Sequence, residues 1–137
     1  IRPGDTAVAF GFPLLGILSS QGSVTVGSVT SLAGIGNDTS RLQMTTPVQP
    51  GNSGGALLNI HGQVVGIVVS KINALLVAKA TGDIPQNINF AVKSSVATNF
   101  LEAESITYST SNLKSKLEPA DVGDIGRAIS YPLTCSQ

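Results

Sequence analysis

The chain contains no tryptophan, one cysteine, one histidine and few charged residues, 12% of its 137. The lone Cys135 excludes an intrachain disulfide framework and says little about compartment. With His61 as the sole histidine there is no His/Cys cluster, so neither a zinc site nor any other metal or cofactor is expected. Eight basic and eight acidic residues cancel, so no electrostatic nucleic-acid partner is expected. The longest apolar run, residues 64–69, is far too short to cross a bilayer. No signal-peptide pattern is visible, and the chain opens on Ile1 rather than Met, so a preceding portion is expected.

What is present is apolar and β-prone. A 42% hydrophobic share fits a well-filled core in one domain, and a domain of this length buries roughly two-thirds of its unfolded surface. Glycine is abundant and Val, Ile and Thr are frequent, which points to an all-β fold. Residues 6–12 alternate and end at Gly11-Phe12-Pro13, reading as a strand closed by a turn. Residues 14–20 read as a loop, 23–32 as a strand bent at Gly27, and 33–39 as a hairpin loop. Residues 41–45, 56–59, 63–70 and 87–92 complete six strands, with a turn at 60–62 and a loop at 71–86. Residues 93–103 read as a helix with an apolar stripe at Val96, Phe100 and Leu101. A polar linker is expected over 104–116. A tail follows over 117–137, with a short helix at 117–127 opened by Pro119 and a strand at 128–135.

One stretch carries chemistry: Gln49-Pro50-Gly51-Asn52-Ser53-Gly54-Gly55-Ala56. Glycine serves where backbone turns sharply or approaches a ligand closely. A serine held on such a turn can present its hydroxyl while neighbouring N–H groups converge on one point. Acyl transfer needs that arrangement. A phosphate-cradling loop is disfavoured because no Lys-Ser/Thr follows at the required spacing. A glycine-rich turn without chemistry is the bland alternative.

Gly51-Asn52-Ser53-Gly54-Gly55, Leu57-Leu58-Asn59, Gly62-Gln63-Val64-Val65-Gly66-Ile67 and Asn89-Phe90-Ala91-Val92 resemble the trypsin-like serine peptidases of the HtrA/Deg type, in order and spacing. The opening Gly4-Asp5-Thr6-Ala7-Val8-Ala9-Phe10-Gly11-Phe12-Pro13 resembles the first strand of the same barrel. The resemblance spans residues 1–103. It implies a six-stranded antiparallel β-barrel with a C-terminal helix, one half of a chymotrypsin-like double barrel. Ser53 would be the catalytic nucleophile, and the N–H groups of Gly51 and Ser53 the oxyanion hole. Pro47, Val68, Val69, Ser70 and Ile88 would bind substrate, favouring small or medium apolar side chains.

In that family the general base and its orienting carboxylate come from the N-terminal barrel. His61 does not match the base and reads as an exposed turn residue. The expectation is half an active site, inactive alone, whose partners are a peptide or protein substrate and the missing N-terminal barrel, with self-association into a homo-oligomer a further option. Family analogy suggests a periplasmic or extracellular location. Thr45, Gln49 and Ala56 depart from the family's usual Asp, Asn and Pro. Two alternatives stay open: a pseudoprotease barrel that binds extended peptides, and a self-associating structural β-domain.

Overall fold

The computed structural model describes residues 1–14, 20–69, 79, 82 and 87–136. Six strands form among them: β1 (Thr6–Gly11), β2 (Ser23–Ser31), β3 (Arg41–Met44), β4 (Ala56–Leu58), β5 (Val64–Val69) and β6 (Asn89–Lys93). They close into an antiparallel barrel in the order β1-β2-β3-β6-β5-β4, with β4 pairing back onto β1. Two helices follow among the described residues, α1 (Ser94–Ala103) and α2 (Pro119–Ile129). The all-β barrel with a C-terminal helix expected from the sequence is the fold this chain adopts.

Successive side chains of a strand point to opposite faces. Ala7 and Ala9 enter the barrel interior with Val29, Leu42, Met44, Leu57, Val68 and Ala91. Val8 points the other way and joins Ala56, Leu58 and Val122 in a second cluster, flanked by Val24, Leu117 and Ile125. β1 and β4 are therefore covered on both faces, and residues 7–11 and 56–58 are buried without a break. The alternation expected for residues 6–12 is absent for that reason.

The outer cover is α2, which lies against β1, β2 and β4. A Cβ at Gly126 would stand 2.7 Å from Phe10 Cβ, and one at Gly123 2.6 Å from Val24 Cγ2. A helix-interior glycine costs about 1 kcal/mol relative to alanine, so both positions give up propensity for close approach. Pro119 opens the helix where its missing N–H is harmless. Asp121 in the first turn and Arg127 in the last suit the helix dipole. The Arg127 guanidinium also sits 5.5 Å from the centre of the Phe10 ring. The segment between the helices is tied to the β4–β5 turn, where Leu117 N–H donates to the Ile60 carbonyl at 2.8 Å.

Several sequence expectations need correction. Pairing of β1 with β2 continues without interruption through Gly27, and the register shift lies between Val29 and Ser31 on the β3 side. Gly27 instead permits close approach, since a Cβ there would lie 2.4 Å from the Thr46 nitrogen. Residues 128–135 form no strand: α2 runs to Ile129, and residues 130–136 have no regular structure. A closed barrel offers no free edge for a seventh strand. The α1 stripe is not buried, with Phe100 64% exposed. His61 is half-buried rather than exposed, its Nδ1 lying 2.9 Å from the Ser115 carbonyl oxygen. Residues 15–19 of the first loop, and 71–86 apart from Lys79 and Gly82, lie outside the described residues.

Candidate active site

The chain leaves β3 and is fastened before it reaches Ser53. Thr46 is fully buried, its Oγ1 donating to the Ala7 carbonyl at 3.2 Å, while Asn89 Nδ2 donates to the Thr46 carbonyl at 3.0 Å. Thr25 Oγ1 donates to the Pro47 carbonyl at 2.7 Å. Val48 then drops into the interior core. Pro50 lacks a ladder donor, and the chain turns sharply, with Gly51 at φ +99° and Gly54 at φ +84°. These values lie in the left-handed region where glycine alone is unstrained. At Gly51 space is also short, because a Cβ would meet the Phe12 carbonyl oxygen at 2.5 Å.

Hydrogen bonds hold the turn from both sides. Asn52 N–H donates to the Gln49 carbonyl at 3.0 Å, and Gly55 N–H to the Asn52 carbonyl at 3.0 Å. Gly54 N–H donates to the Val68 carbonyl at 2.8 Å, and Leu14 N–H to the Pro50 carbonyl at 3.1 Å. The N–H groups of Gly51 and Ser53 have no acceptor among the described residues. Ser53 itself is exposed and its hydroxyl has no partner among the described residues. Beneath it Asn52 is buried against Gly11, where a Cβ would lie 2.5 Å from Asn52 Oδ1. Asn52 is a strut that sequence reasoning missed; its signal was a glycine at position 11, in a strand otherwise filled with apolar residues.

Gly51 and Ser53 line one cavity of about 860 Å³. Pro47, Val68, Val69 and Ile88 do not line it. Pro47 and Ile88 are exposed elsewhere on the surface. Val68 is buried in the core, and both its backbone groups are engaged, donating to Gly55 O at 2.9 Å and accepting from Gly54. An added strand finds no free backbone at Val68. Val69 pairs with Phe90 of β6, and Ser70 lies outside the described residues. A further part of the cavity lining was not legible from sequence: Ile129, the last residue of α2, and residues 130–134 after it. His61 stands at the far end of β4 from Ser53, in the β4–β5 turn. No described helix is long and apolar enough to cross a membrane.

Comparison with known proteins agrees with this fold. A family model described as the trypsin-like peptidase domain matches residues 1–67. The uncharacterized protein y4bJ of Sinorhizobium fredii is 42% identical over 134 residues, covering 98% of this chain and 21% of its own length. That match takes in α2 and nearly all that follows it. The periplasmic pH-dependent serine endoprotease DegQ of Escherichia coli is 37% identical over 100 residues, 71% of this chain and 20% of its own. The crystal structure of the serine endoprotease from Yersinia pestis superposes with a TM-score of 0.55 at 31% identity, covering 74% of this chain and 31% of that one. The chain spans about a fifth of the length of the curated relatives it matches. Fold, loop and relatives agree, and the chain belongs to the trypsin-like peptidases of the HtrA type.

Proposed function

We propose that this chain is the nucleophile-bearing part of a serine endopeptidase that cleaves peptide or protein substrates through an acyl-enzyme. One observation carries the reading. Of the N–H groups in the turn 51–55, those of Gly51 and Ser53 have no acceptor among the described residues, beside an exposed serine hydroxyl. Ser53 Oγ attacks the scissile carbonyl carbon, and the carbonyl oxygen takes the displaced electron pair. The two N–H groups hold that oxyanion. Collapse expels the amine and leaves an ester on Ser53, which water then hydrolyses.

The Ser53 proton needs an acceptor. His61 is unsuited, being at the other end of the hairpin and engaged with the Ser115 carbonyl. The reading assigns the base and its orienting carboxylate to a second, N-terminal barrel of a longer protein, and makes this chain inactive alone. Of the expected substrate strand Val68-Val69-Ser70, Val68 and Val69 are already paired within the barrel, and the reading leaves pairing with substrate backbone to Ser70. Pro47, which offers no charge, and Ile88 would favour small or medium apolar side chains in the first subsite. A periplasmic or extracellular setting belongs to the same reading, the periplasmic one by analogy with DegQ, as does assembly with further copies of the chain. The position of His61 favours one alternative, a barrel that grips extended peptides without cutting them.

Turnover of denatured casein tests the proposal. The isolated chain is expected to leave casein intact, and the full-length protein to cleave it only while Ser53 is present. Ser53-dependent cleavage by the isolated chain would overturn the divided site. Full-length cleavage that survives Ser53→Ala would overturn the nucleophile.

A further inference from the structure

We propose that residues 129–134 form the second wall of the substrate cleft, selecting apolar substrate side chains through Ile129, Tyr131 and Leu133. The proposal rests on the peptidase reading above and names the substrate class of that same site. The cavity of about 860 Å³ is lined by both the Ser53 turn and this segment. Its volume falls in the range of ligand clefts, roughly 300–1,000 Å³.

Three features argue for a wall that meets substrate. First, Tyr131 is 80% and Leu133 95% exposed, although both border the cavity that holds Ser53. Two large apolar side chains in water gain from being covered. Second, Tyr131 and Leu133 alternate along the irregular stretch 130–136, directly after Ile129 ends α2. Alternation puts side chains on one side of an extended chain. Residues 130–136 form no hydrogen bond with the described residues, so their backbone groups remain able to pair with an extended peptide. Third, none of the described residues lining the cavity carries a charge. A charged substrate side chain would lose its water there with no partner in return.

The wall is anchored rather than loose at its root. Val122 is fully buried, and Gly126 seats α2 on Phe10. Arg127 Nε lies 3.5 Å from the Gln21 carbonyl oxygen. The segment therefore starts from a fixed point on the barrel.

The test compares the unaltered chain with the double variant Tyr131→Ser, Leu133→Ser. Both side chains are exposed, so the barrel should fold unchanged, which circular dichroism checks. The probes are two fluorescein-labelled decapeptides, one alternating valine with glycine and one alternating glutamate with glycine. Fluorescence anisotropy should show a preference for the valine peptide in the unaltered chain. In the variant that peptide should bind about tenfold more weakly, from the loss of two partly buried apolar side chains, with the glutamate peptide unaffected. Equal affinity for the valine peptide in both proteins would overturn the wall. Tighter binding by the variant would also overturn it, making the segment a cover. The full-length protein separates this failure from that of the peptidase reading. There the double variant should raise KM for a valine-containing substrate with kcat little changed, whereas only failure of the Ser53→Ala control removes the reading beneath it.

Discussion

Replacing Gly126 by alanine sets two opposing effects against each other at the seat of α2. On an isolated surface helix the change would stabilise by about 1 kcal/mol through helix propensity. In this fold the new Cβ would lie 2.7 Å from Phe10 Cβ, with Phe10 Cγ at 3.3 Å and Leu58 Cδ1 at 3.4 Å. Carbon atoms rest about 3.5–4.0 Å apart, so the shortfall is on the order of 1 Å. Phe10 Cβ cannot yield alone, because it is one bond from a strand paired on both sides and fully buried. The helix must back away, loosening Val122 and Ile125. Overpacking of this kind costs about 1–3 kcal/mol, so a net loss of about 1 kcal/mol is expected. Gly123→Ala is the internal comparison. Its nearest neighbours are the two methyls of the half-buried Val24, at 2.6 and 3.0 Å, and rotation of this β-branched side chain relieves only part of the overlap. That variant should lose less stability than Gly126→Ala, because a side-chain tip rather than a strand-bound Cβ must give way. Urea unfolding followed by circular dichroism reads both, and the Gly126 variant should lower the midpoint by on the order of 0.5 M. Hydrogen exchange of the α2 amides should accelerate in the same variant. A raised midpoint for Gly126→Ala would refute the docking of α2 on Phe10.

Gly51→Ala combines a φ of +99° with a Cβ 2.5 Å from a backbone oxygen, and should cost about 2–3 kcal/mol in the same urea assay. Gly54→Ala, with a similar φ of +84° but open space around it, should cost only about 1 kcal/mol. Asp38 is held below the ordinary carboxylate value of 3.8, chiefly by the Ser40 hydroxyl, then by the Ser40 N–H and the Arg41 charge. Its folded value being the lower one, the contribution to stability is present above about pH 4 and fades as pH falls through the folded value. Carboxyl-carbon NMR should give a titration midpoint below 3.8 that rises in Ser40→Ala, and an unchanged midpoint would count against the Ser40 contact.

Much of the barrel was legible because its signals are local. Strands were marked by β-branched runs between glycine, proline and asparagine, and the turn around Ser53 by glycines that backbone geometry demands. The outer layer was less legible. Residues 117–137 were set apart as a tail because α2 meets the barrel through Gly123 and Gly126, and glycine adds nothing to an apolar stripe. The apolar run of residues 7–10 did hint at a cover on both faces of β1, but it could not name the cover. The substrate positions suffered the same limit: Val68 lies at the expected place along the chain, yet its backbone is already paired.

The sequence by itself determined the six strands, the sharp turn and the residue that stands on it, since each depends on conformational preferences of near neighbours. Only the tertiary structure decided that α2 closes the outer face of β1 and β4, that His61 lies away from Ser53, and that residues 129–134 line the same cavity as Ser53. Those facts depend on which surfaces meet between residues some sixty positions or more apart, or on the direction a hairpin runs, and no local pattern encodes either.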